Sequence, residues 1–143
     1  MKILVINGPN LNMLGTREPE IYGKNTLEDI NSQLVEYSKT LSNDISLEFF
    51  QSNSEGEIVD KIQQTDADGL IINPAAYTHT SIAIPDAIKA TKIKTVEVHL
   101  SNVSNREDFR KISYISGASL GTVAGFRENS YKMALFGLFN ELK

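Results

Sequence analysis

Apolar positions along the chain come in two alternating kinds of run. Residues 2–7 (KILVIN) are an almost unbroken apolar, β-branched stretch, which reads as a buried strand and not as a leader sequence. Leu27, Ile30, Leu34, Tyr37 and Leu41 recur at helical spacing, so 27–42 is predicted to be an amphipathic helix, opened by a Thr26 cap with carboxylates in its first turn. Ile45, Leu47 and Phe49 alternate as a second strand does. Ser54-Glu-Gly-Glu57 has the form of a capping box, with Ile58 and Ile62 one helical turn apart behind it. Residues 69–73 (GLIIN) are a continuous apolar run, typical of a strand covered on both faces. A helix is expected around 81–90, with Pro85 tolerable near its first turn. Residues 95–99 (TVEVH) form a fourth strand, and Ser104-Asn-Arg-Glu107 is a second capping box, predicted to open a short helix through Ile112. A weaker, Gly-interrupted strand at 119–124 precedes a C-terminal helix marked by Tyr131, Leu135, Leu138 and Leu142.

Five strand–helix units in this order imply a parallel sheet with helices on both faces, joined by right-handed crossovers. The expected fold is α/β: a single flavodoxin-like domain over 1–143, a three-layer sandwich with strand order 2-1-3-4-5. Length and composition agree, since 143 residues with 41% apolar and 22% charged side chains suit one soluble domain. No apolar run approaches the ~20 residues of a membrane span. A net charge of −4 disfavours a nucleic-acid surface, and zero cysteines exclude disulfides and thiol chemistry. The expectation is a cytoplasmic protein with neither a nucleic-acid nor a membrane partner.

Ligands of such sheets bind outside the carboxyl ends of the strands, which ranks the polar residues by position. The first strand feeds residues 8–25, a loop of 18 residues, long enough to suggest a lid; it carries Asn10, Asn12, Arg17 and Tyr22. The third strand delivers Asn73, Tyr77 and His79, and the fourth His99, Ser101 and Asn102. Both histidines of the chain thus share one rim, and proton transfer is the chemistry this set suits. A tyrosine is a poor base at neutral pH, but a nearby arginine favours its phenolate, and Arg17 and Tyr22 share one loop. Histidine can return a proton to a leaving oxygen. Glu97, two residues before His99, lies on the same strand face and is placed to orient the imidazole and favour its protonated form. The plainer alternative is that Tyr22 packs the loop down and Glu97 forms a structural ion pair. No phosphate-binding or dinucleotide fingerprint is present, and two separated histidines make no metal site.

Three blocks carry a family resemblance: Gly8-Pro-Asn-Leu-Asn12 with Gly15-Thr-Arg17-Glu-Pro-Glu-Ile-Tyr22-Gly23, then Asn73-Pro-Ala-Ala-Tyr-Thr-His-Thr-Ser81, and Glu97-Val-His-Leu-Ser-Asn-Val103 with Arg106-Glu-Asp-Phe-Arg110. In order and spacing, over almost the whole chain, they resemble the type II 3-dehydroquinate dehydratases. The resemblance implies a hydro-lyase of the shikimate pathway of aromatic amino-acid biosynthesis. Such an enzyme converts 3-dehydroquinate to 3-dehydroshikimate by anti elimination through an enolate, without metal or other cofactor. By matching position, Tyr22 is the base at C2, Arg17 holds it as phenolate, and Asn10 holds a water that stabilises the enolate. His99 protonates the departing C1 hydroxyl with Glu97 behind it. Asn73, His79, Leu100, Ser101 and Arg110 match substrate-binding positions, the amides at 100 and 101 serving the carboxylate. Asp86 matches a residue that reaches a neighbouring subunit's site, in a homo-oligomer of trimers grouped into a dodecamer. Departures fall at Ser104-Asn105, at Pro85, and at Arg127, where many members have glycine. The rival reading is a non-catalytic flavodoxin-like module that binds flavin or a small anionic metabolite.

Overall fold

The computed structural model describes every residue except Arg17, and of Tyr22 only the backbone. Five parallel strands form one sheet in the order β2-β1-β3-β4-β5. They are β1 (Lys2–Asn7), β2 (Ser46–Gln51), β3 (Gly69–Asn73), β4 (Lys94–His99) and β5 (Gly121–Ala124). The helices are α1 (Pro19–Tyr22), α2 (Leu27–Leu41), α3 (Glu55–Gln64), α4 (Ala83–Thr91) and α5 (Asn129–Leu142). The expected strand order is the observed one.

Strand alternation distributes the apolar side chains between two layers. Ile3 and Val5 of β1 pack with Ile71, Val98, Ile30 and Leu34 of α2, and Leu135 and Leu138 of α5. Leu4 and Ile6 face the other way, onto Ile58 and Ile62 of α3 and Ile84 and Ile88 of α4. β1 and β3 are buried along nearly their whole length, which is why both read as continuous apolar runs.

The helix starts follow their caps. Thr26 and Asp29 form a complete capping box on α2. At α3 only half of the expected box exists: the Ser54 hydroxyl accepts from the Glu57 amide, while the Glu57 carboxylate is taken by the Ser52 hydroxyl at 2.9 Å. Pro85 is the third residue of α4, where its missing N–H costs no helical bond.

Two predicted elements differ. The helix expected to open at Ser104 is replaced by two 3-10 turns, Val103–Asn105 and Asp108–Arg110. Arg106 between them is extended (φ −119°, ψ −162°), and Glu107 turns to Arg106 and Arg110 instead of capping. The segment after β1 is not one open loop. It contains a 3-10 turn at Leu11–Met13 and then α1, whose last residue is Tyr22.

Candidate active site

The carboxyl ends of β1, β3 and β4 meet at one rim of the sheet, and the paired register sets Asn7 beside Asn73. Both asparagines are buried and are joined by a hydroxyl from the far end of the chain. The Tyr131 phenol donates to Asn7 Oδ1 at 2.5 Å and accepts from Asn73 Nδ2 at 3.0 Å. Burial pushes this phenol above its ordinary value, against a smaller opposing effect of Asn73, so it stays a neutral donor. Asn73 Oδ1 accepts the Ala75 amide at 3.1 Å, which fixes both ends of the Asn73 amide group.

The strand ends can approach this closely because residue 8 is glycine. A Cβ there would lie 2.5 Å from the Pro74 carbonyl oxygen. The Gly8 amide donates to the Asn73 carbonyl at 2.8 Å. Asn10 follows with φ 70°, a left-handed conformation that asparagine tolerates better than most residues, and its amide donates to Asn53 Oδ1.

His99 ends β4 and is almost fully buried. Its Nε2 lies 3.6 Å from Glu97 Oε1, the same-face pairing that strand alternation requires. Glu97 has no exposed surface, yet its carboxylate is well satisfied. Ser113 donates to Oε1 at 2.5 Å, while Ser116 and Thr122 donate to Oε2 at 2.6 and 3.0 Å. Burial alone pushes the carboxyl up. Hydrogen bonding with His99, the Ser113 and Ser116 hydroxyls and the imidazole charge outweigh it and hold the group down at about 2. An ionised carboxylate therefore backs the imidazole at any physiological pH.

His79 lies on the 3-10 turn Ala75–His79, with Nδ1 at 2.7 Å from the Ile112 carbonyl. A carbonyl only accepts, so Nδ1 carries the hydrogen and Nε2 is the ring atom left for a ligand. Asn10, Asn73, His79, His99, Leu100, Ser101 and Arg110 all line one cleft at this rim. Glu97 lies behind it, in contact with His99. Asp86 is exposed on the first turn of α4 and is not among the cleft's lining residues. Arg17 and the Tyr22 side chain lie outside the described residues.

Sequence reasoning missed four contributors. Arg106 lines the cleft and donates from Nη1 to the Ser101 hydroxyl at 3.4 Å; its place in a supposed helix start concealed it. The other three are the hydroxyls on Glu97, 16, 19 and 25 residues downstream, which no local pattern connects to β4. Among the described residues, no group of three His, Asp or Glu side chains gathers as a metal site. Nor is any helix long and apolar enough to cross a membrane. A cleft with a carboxylate-backed imidazole, a second imidazole, a fixed carboxamide and two arginines suits proton transfer on a small anionic, oxygen-rich molecule.

Known proteins agree with that chemistry. A 3-dehydroquinate dehydratase of Geotalea daltonii is 57% identical over 145 aligned positions, covering 100% of this chain and 99% of the relative. The enzyme of the same name from Francisella tularensis subsp. novicida is 54% identical, covering 98% of this chain and 95% of the relative. The crystal structure of a type II dehydroquinase from Butyrivibrio crossotus superposes with a TM-score of 0.93 at 48% identity, covering 97% of both chains. That from Propionibacterium acnes gives a TM-score of 0.88 at 42% identity, covering 97% of this chain and 96% of the other. The family model for class II dehydroquinases matches residues 1–139, and the chain belongs to that family.

Proposed function

We infer that this protein is a hydro-lyase that dehydrates 3-dehydroquinate to 3-dehydroshikimate in the shikimate pathway. The observation that carries the reading is the Glu97–His99 pair, buried at the floor of a cleft walled by Asn73, His79 and two arginines. The non-catalytic, flavin-binding alternative is not favoured, since relatives matched from end to end are named for the dehydratase.

The proposed reaction divides between the cleft and the segment above it. Tyr22, activated by Arg17, removes the proton from C2, and the resulting enolate is stabilised through a water held by Asn10. His99 gives its proton to the C1 hydroxyl, which departs as water. Glu97 stabilises the charged imidazole before transfer and fixes its orientation, as an ionised partner does. Asn73 presents a fixed amide donor, and His79 a fixed ring acceptor at Nε2, to substrate hydroxyls. Arg110, with the main chain at Leu100 and Ser101, receives the carboxylate, and Arg106 adds positive charge on the same wall. Placement supports these roles: one rim collects every proposed binding residue except Asp86.

Assembly is the finer part of the proposal. Ile82, Phe109, Ile112 and Tyr114 are large apolar side chains between 46% and 63% exposed. The Ile112 carbonyl fixes the His79 ring, and Ile82 stands one helical turn before Asp86. Burying that patch against a neighbour brings the neighbour's α4 start toward the cleft, the arrangement a shared site needs. We place this contact in a trimer, and the exposed Leu120, Phe126, Met133 and Phe136 in the grouping of trimers into a dodecamer.

The deciding experiment mixes the purified protein with 3-dehydroquinate and follows the enone absorbance of the product. Turnover is expected without added metal or cofactor. Tyr22→Phe and His99→Ala should each lower kcat by about 10²–10⁴, the usual worth of a general acid or base. KM should change less, because the binding groups are untouched. Absence of product from the intact protein overturns the assignment, and near-normal turnover in Tyr22→Phe removes that tyrosine from the mechanism.

A further inference from the structure

Arg127 stands in the turn between β5 and α5, outside the cleft, in a conformation arginine does not favour. Its φ is +54°, in the left-handed region where a Cβ crowds the backbone, close after Gly125 at φ +99°. The turn is fastened by its main chain to the catalytic strand. The Gly125 amide donates to the His99 carbonyl at 3.4 Å, and the Arg127 amide to the Leu100 carbonyl at 3.0 Å. From this anchored backbone the side chain crosses to the other wall. Its Nη1 donates to the Ile21 carbonyl at 3.3 Å and its Nη2 to the Glu20 carbonyl at 3.2 Å.

Those two carbonyls belong to the last turn of α1. A four-residue helix leaves its terminal carbonyls without helical partners, and its carboxyl end favours a cation. The planar guanidinium meets both acceptors at once, as a lysine ammonium cannot. Gly23, which ends α1 at φ +91°, lets the chain turn away beside the same guanidinium; a Cβ there would lie 3.6 Å from Arg127 Nη1. A continuous chain of bonds therefore runs from the His99–Leu100 main chain, through the Arg127 backbone and side chain, to the residue before Tyr22.

We propose that Arg127 is a latch: it holds α1 down on the tip of β4 and so positions Tyr22 relative to His99 for proton transfer. The strained backbone is the cost of placing a long cationic side chain at this turn. This inference rests on the reading of Tyr22 as the base, and Arg127 acts through α1 without touching substrate.

The test compares the full-length parent with Arg127→Gly, Arg127→Ala and Arg127→Lys, by hydrogen exchange at residues 18–23, by kcat and KM for 3-dehydroquinate, and by Tm. Glycine and alanine both remove the latch, but only glycine relieves the positive φ. Exchange at 18–23 should accelerate equally in both, and kcat/KM should fall roughly ten- to a hundredfold, the effect of a misplaced reacting group. Tm should remain at or above the parent's in Arg127→Gly and lie lower in Arg127→Ala. Arg127→Lys should recover part of the loss. Unchanged exchange in Arg127→Gly overturns the proposal, as does activity that follows Tm instead of the loss of the guanidinium. So does accelerated exchange with unaltered kinetics while Tyr22→Phe is inactive. Full turnover in Tyr22→Phe rejects the catalytic reading of Tyr22 without altering the exchange result, so the two failures are told apart.

Discussion

Glu97 is a carboxylate with no exposed surface that stays ionised because three hydroxyls and an imidazole replace its water. Its partnership with His99 was legible from the sequence, because residues two apart on a strand share a face. Ser113, Ser116 and Thr122 were not, since only the folded path of the chain after β4 brings them back. Their effect is measurable through linkage. The folded-state value is held near 2, against an ordinary 4.5, so the ionised group stabilises the fold above about pH 4.5. That contribution, on the order of 3 kcal/mol, is lost as pH falls through 4.5 toward 2, where the native carboxyl also takes up its proton. Glu97→Gln should flatten the dependence of unfolding free energy on pH across that window and lower kcat at neutral pH. A variant whose acid limb matches the parent's shows that other carboxylates control acid unfolding.

At the scale of elements, the strands were readable and the irregular segments were less so. β1 and β3 announce themselves because burial on both faces demands continuous apolar sequence. The stretch from 103 to 112 carried a local helix-start signal, but Arg106 and Arg110 recruited Glu107, and the side chains that face the cleft decided the backbone. Gly8 is a hinge between the two kinds of structure. It follows the last residue of β1 where a Cβ would strike the Pro74 carbonyl, and its amide bonds the Asn73 carbonyl just before the turn to His79. Gly8→Ala must push the β1 and β3 tips apart, at a cost of about 1–3 kcal/mol for overpacking without an easy escape. The loss should be larger in activity than in stability, because Asn10 and Asn73 both move while the two core layers stay intact. Thermal unfolding with parallel kinetics checks this; full activity in a folded Gly8→Ala protein shows that the strand tips yield without disturbing the cleft.

Across the whole molecule, among the described residues, large apolar side chains stand exposed at Ile82, Phe109, Ile112 and Tyr114, and at Leu120, Phe126, Met133 and Phe136 about β5 and α5. Asp86 acquires a role only at this scale. In an isolated subunit it is an exposed first-turn carboxylate that favours the helix dipole by under ~1 kcal/mol. In the proposed trimer it completes a neighbour's cleft, and the two roles differ in trans. Suppose Tyr22→Phe and Asp86→Asn proteins are each inactive, and are unfolded together in equal amounts and refolded. A working composite site needs Tyr22 from an Asp86→Asn subunit and Asp86 from an adjacent Tyr22→Phe subunit. Random mixing around a cyclic trimer meets both conditions at roughly a quarter of the sites, the product of two even chances. Activity near that fraction of the parent's is expected, with mixed oligomers verified by mass. Mixed oligomers as inactive as their parents would mean that Asp86 serves only its own subunit.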